Sequence, residues 1–323
     1  MPLFFLTPAM GVWMFVAVCL MVVQMPAAGQ ALGLSARYDH SLTSDDNGSS
    51  TGLVSTNQVA FHGRMPAGEG HVHVQVNTRV GRGYTEIGSR GAEAGYDHGP
   101  WFVGLGQSTG TEFSWITATA VTGNPGNLSM LSAFPKRALT LGARLTAMDT
   151  VRLLTHGSDG TRASPGSGTE WSWVRKQGQH ILRVADYRQA AFAGATTRPR
   201  QTGASFDSTW GSWGLNLRAI ELKSVVGEGL VQVGIGARHS VAPSVSLVAD
   251  AMVSRSDLAE RDHSLLAAGA FWMFHAQADA YLLAYRIRND ANSLRLVGPA
   301  VARRPGDDPS GLAIGVRMRL SFN

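Results

Sequence analysis

The sequence predicts an all-β protein, a transmembrane antiparallel up-and-down β-barrel of about 16 strands, with short periplasmic turns and longer outer loops. Three observations favour this fold class. Only 16% of the 323 residues are charged, whereas about 25% is usual in soluble proteins. Beyond the first thirty residues, no apolar run is long enough for a membrane helix. A chain that crosses lipid without helices must close a barrel, because every backbone amide needs a partner there.

The clearest single element is the closing segment, residues 312–322. Every second residue from Leu312 to Phe322 is apolar, and Arg317 and Arg319 lie between them. Successive side chains of a strand point to opposite faces, so this segment has one apolar face and one basic face. The apolar face extends over about 11 residues, the length of a tilted strand that crosses a bilayer. The pattern predicts a lipid-facing wall with both arginines turned inward.

The N-terminal segment, residues 1–31, is predicted to be a signal peptide, and residues 32–323 are predicted to form the barrel. Residues 4–23 are apolar, Pro26 breaks the run, and small residues follow it, as at a cleavage site. No Lys or Arg precedes the apolar core, so a retained membrane anchor is the alternative. The only cysteine, Cys19, lies in this segment, and the mature chain would have no disulfide.

The other strands are predicted from short alternating segments that are bounded by turn-forming residues. With the closing segment, they comprise residues 32–41, 59–65, 71–80, 87–97, 101–105, 139–145, 151–156, 171–173, 180–187, 204–207, 213–221, 230–239, 245–254, 264–274, 279–288 and 312–322. Their connections alternate between short and long, which is typical of an outer-membrane barrel. A soluble β-sandwich has strands at similar spacing but no reason for this alternation.

Aromatic residues lie near the predicted strand ends, where interfacial girdles of a barrel are found. They are Trp101, Trp171, Trp173, Trp210, Trp213, Trp272, Tyr281 and Tyr285. Packing in a soluble core is the alternative explanation.

Three stretches resemble the general porins of Gram-negative bacteria, the 16-stranded trimeric kind, in their order and spacing. They are residues 47–64 with Glu69-Gly70, residues 101–105, and residues 285–292 with 308–317. The resemblance implies a homotrimer in the outer membrane whose third loop, here residues 108–135, folds into each barrel and narrows the pore. Two departures affect the charges: Gly106-Gln107 replaces the arginine usual in the family, and Glu112 alone represents the acidic cluster of the loop.

Charged residues on the inward faces indicate a channel. A barrel of about 16 strands leaves an aqueous lumen, and arginines on its inner wall would favour anions. Inward arginines are predicted at Arg37, Arg64, Arg79, Arg144, Arg218, Arg238, Arg286, Arg288, Arg317 and Arg319. The acids predicted to face them are Asp39, Glu93, Asp97 and Asp250. As an alternative, many of these arginines pair with acids and only fix the barrel shape.

The predicted pore lining and constriction consist of Arg37, Arg64, Arg79, Glu93, Glu112, Arg317 and Arg319. The first three arginines are expected at similar heights on consecutive strands. The last strand of a barrel pairs with the first, so Arg317 and Arg319 would extend this basic wall, and Glu112 would face it from the third loop.

Other functional classes find little support. His71 and His73 could suggest a hydrolase or a metal site, but no GxSxG elbow and no third ligand accompany them. The net charge of +5 comes without a nucleic-acid recognition motif. We therefore predict no enzyme activity, cofactor, metal or nucleic-acid partner. The predicted function is passive diffusion of small hydrophilic solutes and ions, with weak anion preference and outer-membrane lipid as a partner. The alternative is a non-conducting structural or adhesive barrel.

Overall fold

A computed structural model describes residues 31–45, 48–52, 57–80, 87–107, 138–157, 167–190, 198–223, 227–292 and 305–322. Within these residues every regular element is a β-strand, and no helix is long and apolar enough to cross a membrane. The predicted signal peptide up to residue 30 and the predicted third loop with Glu112 lie outside the described residues.

Seventeen strands follow one another along the chain. They are β1 (Ala31–Asp45), β2 (Gly48–Gly52), β3 (Asn57–Ala67), β4 (Gly70–Val80), β5 (Ile87–His98), β6 (Trp101–Gln107), β7 (Ala138–Arg144), β8 (Asp149–His156), β9 (Gly168–Gln177), β10 (His180–Gln189), β11 (Arg200–Trp210), β12 (Trp213–Lys223), β13 (Gly229–Ala242), β14 (Val245–Ser256), β15 (His263–His275), β16 (Ala278–Asn289) and β17 (Ser310–Phe322).

The strands form one antiparallel up-and-down sheet that returns to its first strand. From β3 onward each strand pairs with the next one in the chain. Strand β1 pairs along one edge with β17, from Leu34↔Phe322 to Asp45↔Gly311. Its other edge pairs with β2 and then β3, so these two strands share one position. The seventeen strands therefore occupy sixteen positions, and the predicted fold class is confirmed.

The two ends of the sheet differ in their connections, as the sequence predicts. At one end, which we call the short-turn end, two residues join β3 to β4, β5 to β6, β9 to β10 and β11 to β12. Each of these turns begins with a glycine at φ between 55° and 60°, a left-handed conformation that side chains disfavour. The connections at the opposite end, the long-loop end, are longer except the two-residue one between β1 and β2, and most of them lie outside the described residues.

Alternate residues of the strands define an outer and an inner face. On β13, Val231, Val233 and Ile235 are 48–56% exposed, whereas Gln232 between them is buried. On β17, Leu312, Ile314, Val316 and Met318 are 40–56% exposed, and Ala313 is buried. Exposed aliphatic side chains opposite a buried, partly polar face are typical of a wall that is solvated by lipid. The predicted outward face of the closing segment is confirmed for these four residues.

The aromatic girdle prediction is right for the four tryptophans beside the short turns and wrong for the tyrosines. Trp173 lies partly buried in the middle of β9. Trp101, Trp210, Trp213 and Trp272 are 50–64% exposed and lie beside the short turns. Tyr281 and Tyr285 are only 3% and 6% exposed, because β16 presents them to the inner face.

Candidate pore and its lining

On β13 and β17, the inner face is exposed near the short-turn end and buried toward the long-loop end. On β13, Arg238 near the turn is exposed, while Gln232 farther along is fully buried. On β17, the Arg319 side chain is 57% exposed, whereas Ala313 is 1% exposed. The water-accessible part of the inner wall is therefore concentrated at the short-turn end of these strands.

The arginines of the closing strand share one carboxylate on β16. Arg317 donates hydrogen bonds to Asp279 through Nε at 3.0 Å and through Nη2 at 2.9 Å, and its guanidinium lies 4.5 Å above the centre of the Phe271 ring. Arg319 Nη2 lies 3.6 Å from the same carboxylate. On the other side of β17, Asp39 of β1 is the register partner of Arg317. The register Asp279↔Arg317 follows from the final hairpin, and this acid was missed in the sequence.

The backbone register aligns three of the predicted arginines. Arg37 on β1 pairs with Arg319 on one side and with Gln58 on the other, and Gln58 pairs with Arg79 on β4. Residues that pair directly across antiparallel strands share a face. The row from β17 to β4 thus carries three arginines on one face.

Arg64 does not belong to this row. It pairs with Ala31 and His73, six residues along β3 from Gln58, close to the short turn. There its Nη2 lies 3.5 Å from Asp97, which also has His73 Nδ1 at 3.3 Å. The expectation that Arg37, Arg64 and Arg79 lie level is therefore wrong, because the register, and not the order of the strands, decides which residues are neighbours.

Glu93 lies on the inner face of β5, as predicted. Its Oε2 accepts a hydrogen bond of 3.3 Å from Thr140 on β7, and His73 Nε2 lies 3.9 Å from its Oε1. Gly104, on the strand between, leaves room for this reach, since a Cβ there would lie 2.8 Å from the Glu93 carboxylate. The Glu93 side chain therefore passes over Gly104 of β6 and connects β5 to β7.

A ladder of polar side chains crosses the inner faces of β10 to β14. Asp207 forms an ion pair with Arg183 and accepts a 2.7 Å hydrogen bond from Asn216. Arg218 donates to Asn216 at 2.9 Å and forms an ion pair with Asp250. The Arg218 and Asp250 side chains are completely buried. Charges without water contact act mainly on each other, so this pair contributes to barrel shape more than to attracting ions.

Beside the ladder, part of the inner face of β14 to β17 is apolar. Its buried cluster consists of Val248, Met252, Leu265, Ala267, Phe271, Tyr281, Leu283, Tyr285, Ile287 and Ala313. None of these residues is more than 7% exposed. This sector of the wall is packed protein and is not lined by water, a feature that the sequence analysis did not predict.

Several predicted arginines have a different role or place. Arg218 is buried and paired, and Arg238 is exposed and donates to Ser246 at 2.9 Å. Arg286 and Arg288 are exposed on the outer face of β16, in phase with Leu282, so their predicted inward orientation is wrong. Both lie at the long-loop end of the strand. Arginine on the lipid side is tolerated there, because its cost falls to about 0–1 kcal/mol near the interface.

Within the described part of the chain, no group of three or more His, Cys, Asp or Glu side chains is arranged to hold a metal ion. His73, one of the two histidines considered as ligands, contacts the carboxylates of Asp97 and Glu93.

The architecture is a transmembrane-type β-barrel: one antiparallel up-and-down sheet with an apolar exterior and a partly charged interior. Among solved structures, the chain is similar to an anion-selective porin from Comamonas acidovorans, with a TM-score of 0.74 and 13% identity over 90% of this chain and 100% of that one. It is also similar to OmpF of Salmonella typhi in complex with daunomycin, with a TM-score of 0.72 and 12% identity over 90% of this chain and 97% of that one.

The trimer form of OmpT, an outer membrane protein of Vibrio cholerae, is similar with a TM-score of 0.69 and 13% identity over 90% of this chain and 100% of that one. No protein-family model and no curated protein matches the chain. At these identities the likeness establishes the fold.

Proposed function

We propose that the protein is a porin of the outer membrane of a Gram-negative bacterium, through which small hydrophilic solutes and ions diffuse passively. The observation that carries the proposal is the contrast between the two faces of the barrel. Aliphatic residues are exposed on the outside, and charged residues are exposed on the inside at the short-turn end. Sixteen strand positions make a barrel wide enough for water.

The proposal includes no catalysis and no cofactor. Residues 1–31 serve as the signal peptide, residues 32–323 form the barrel, and residues 108–135 narrow the pore as the third loop. A homotrimer is supported by the similarity to an outer membrane protein whose trimer form has been solved.

Weak anion preference belongs to the same proposal. Arg37, Arg79 and Arg319 share one row, and Arg317 and Arg319 both contact the carboxylate of Asp279. A basic strip beside the solvent-accessible wall raises the local concentration of anions. The paired arginines elsewhere on the inner face limit the strength of this preference, which is why we propose a weak one.

Conductance tests the proposal. The mature chain, residues 32–323, is refolded, its β-structure is verified by circular dichroism, and it is added to a planar bilayer with a potassium chloride gradient. We expect ohmic current steps in groups of three and a reversal potential toward chloride. Steps with potassium preference would refute the anion preference alone. A folded protein that carries no current would refute the porin and favour the structural or adhesive barrel.

A further inference from the structure

A row of cationic and hydroxyl side chains crosses the outer face at the long-loop end of β8 to β12. Thr155 pairs with Thr169, Thr169 with Arg188, Arg188 with Arg200, and Arg200 with Lys223. The inner-face neighbours Gln189, Gln201 and Leu222 are buried, while Arg188, Arg200 and Lys223 are exposed. Three cations thus lie side by side on consecutive strands of the membrane-facing wall.

Asp186, in the next row toward the membrane, orients the two arginines. Its carboxylate accepts a hydrogen bond from Nε of Arg188 at 2.7 Å and from Nε of Arg200 at 2.9 Å. Thr202 donates a third bond of 2.6 Å, and the Asp186 side chain is only 3% exposed. Each arginine uses Nε for this contact, and a guanidinium carries five N–H donors in all. A guanidinium held in this way is suited to a second, planar anion contact.

The charges in this region do not balance. Four cationic side chains are described here: Arg188, Arg198, Arg200 and Lys223. The acids beside them are Asp186 and the exposed Glu221. Like charges directly opposite on neighbouring strands destabilise a sheet. An anion that bridges the row would remove this repulsion.

A cavity of about 730 Å³ opens at this place. Its lining includes Thr155, Thr169, Arg188, Arg198 and Arg200. Thr155 and Thr169 both line it, and their hydroxyl oxygens lie 3.5 Å apart. Hydroxyl and guanidinium donors around one cavity match the acceptor oxygens of a phosphate group, and the volume is in the range of small-ligand sites.

The position along the barrel indicates which phosphate would reach it. Trp171 and Asp186 share the row immediately toward the membrane, and Trp171 is 47% exposed. Val231 and Val233 on β13 continue the apolar surface toward the bilayer centre. Tryptophan marks the boundary between headgroups and hydrocarbon, so the cationic row lies at headgroup height.

We propose that Arg188, Arg200 and Lys223, with Thr155 and Thr169, bind the phosphate-bearing headgroup of an outer-leaflet lipid, whose acyl chains lie along the apolar wall below. The inference rests on the membrane placement of the barrel in the proposed function, but it does not require conductance.

Native mass spectrometry of the refolded barrel tests this site. The probes are diphosphorylated lipid A in mixed micelles, the same glycolipid without its phosphates, and inorganic phosphate alone. We expect the phosphorylated lipid to be retained and the phosphate-free lipid to be lost. The triple variant R188Q/R200Q/K223Q should bind the phosphorylated lipid at least about tenfold more weakly, a factor that equals about 1.4 kcal/mol. Equal retention of both lipids, or binding of inorganic phosphate without the lipid, would overturn the proposal.

The chain offers a matched control. R255Q/R286Q/R288Q removes three exposed arginines of β14 and β16 and leaves the row intact, so it should retain lipid as the unchanged protein does. K223Q alone leaves both contacts of Asp186 with the arginines in place and should still weaken lipid binding. This single variant tests the site even if the triple variant does not fold. The site would be contradicted if the control variant lost as much lipid binding as the triple variant. It would also be contradicted if K223Q lost no binding and the triple variant folded and bound the lipid normally. Failure of conductance with intact lipid binding would refute only the porin.

Discussion

At the scale of single residues, the central feature is the completely buried ion pair of Arg218 and Asp250 inside the wall of β12 to β14. Removal of one partner from a buried pair leaves an uncompensated charge away from water, which costs about 3–5 kcal/mol. Exposed pairs contribute far less, typically about 0–1 kcal/mol. The contrast between buried and exposed arginines in one barrel can therefore be measured.

We expect Arg218→Met to lower the free energy of unfolding by about 3–5 kcal/mol, because it removes the cationic partner of the buried Asp250 carboxylate. Urea unfolding of the barrel in lipid vesicles measures the effect. Arg64→Met is the control: its side chain is 48% exposed beside Asp97, and the expected loss is below about 1 kcal/mol. The double variant R218M/D250L should regain most of the loss. Equal losses in R218M and R64M would contradict the burial argument.

At the scale of elements, glycine and aromatic residues are matched across strands. Phe102 on β6 pairs directly with Gly142 on β7, and a Cβ at residue 142 would lie 1.9 Å from Cζ of the Phe102 ring. The ring therefore occupies the space that any side chain at residue 142 would need. Packing of this kind holds neighbouring strands in one register.

Gly142→Ala should destabilise the barrel by about 1–3 kcal/mol, because the ring must leave its position. Gly157→Ala is the matched control, since a Cβ there meets nothing within 4 Å. The same urea titration compares the two variants, and only G142A should show a loss. If Phe102→Leu in the G142A background restores no stability, the ring is not the cause.

At the scale of the whole molecule, the direction in which an arginine points decides its effect on ions. Arg319 lies on the inner face and is 57% exposed, whereas Arg286 is exposed on the outer face. In the proposed porin, only the first would contribute to the electrostatic potential along the lumen. The two residues form a natural pair for testing the pore lining.

Arg319→Gln should move the reversal potential of the channel in a potassium chloride gradient away from the chloride limit. Asp279 keeps Arg317 as its partner in this variant, so the barrel itself should be preserved. Arg286→Gln removes the same charge from the outer face and should leave the reversal potential unchanged. Equal shifts in both variants would mean that selectivity does not arise from the inner wall.

The parts of the site that could be predicted are those that depend on local alternation. The outward residues of β17 and the inward position of Arg317 follow from its pattern of alternate apolar residues. Strand β16 carries apolar residues in both phases, Tyr281 and Ile287 in one and Leu282 in the other, so alternation could not orient Arg286. The structure resolves this ambiguity. Tyr281 and Ile287 belong to the buried apolar cluster on the inner wall, so Arg286, in the other phase of the strand, faces outward.

The sequence by itself determined that this chain forms a lipid-facing antiparallel barrel, because period-two alternation and the alternation of short and long connections are local properties. Only the tertiary structure decided which charges meet. Asp250 reaches Arg218 across 32 residues, and Asp279 reaches Arg317 across 38. Such partners are chosen by the register of strands that are distant in sequence, and a shift of one residue would turn each side chain to the opposite face.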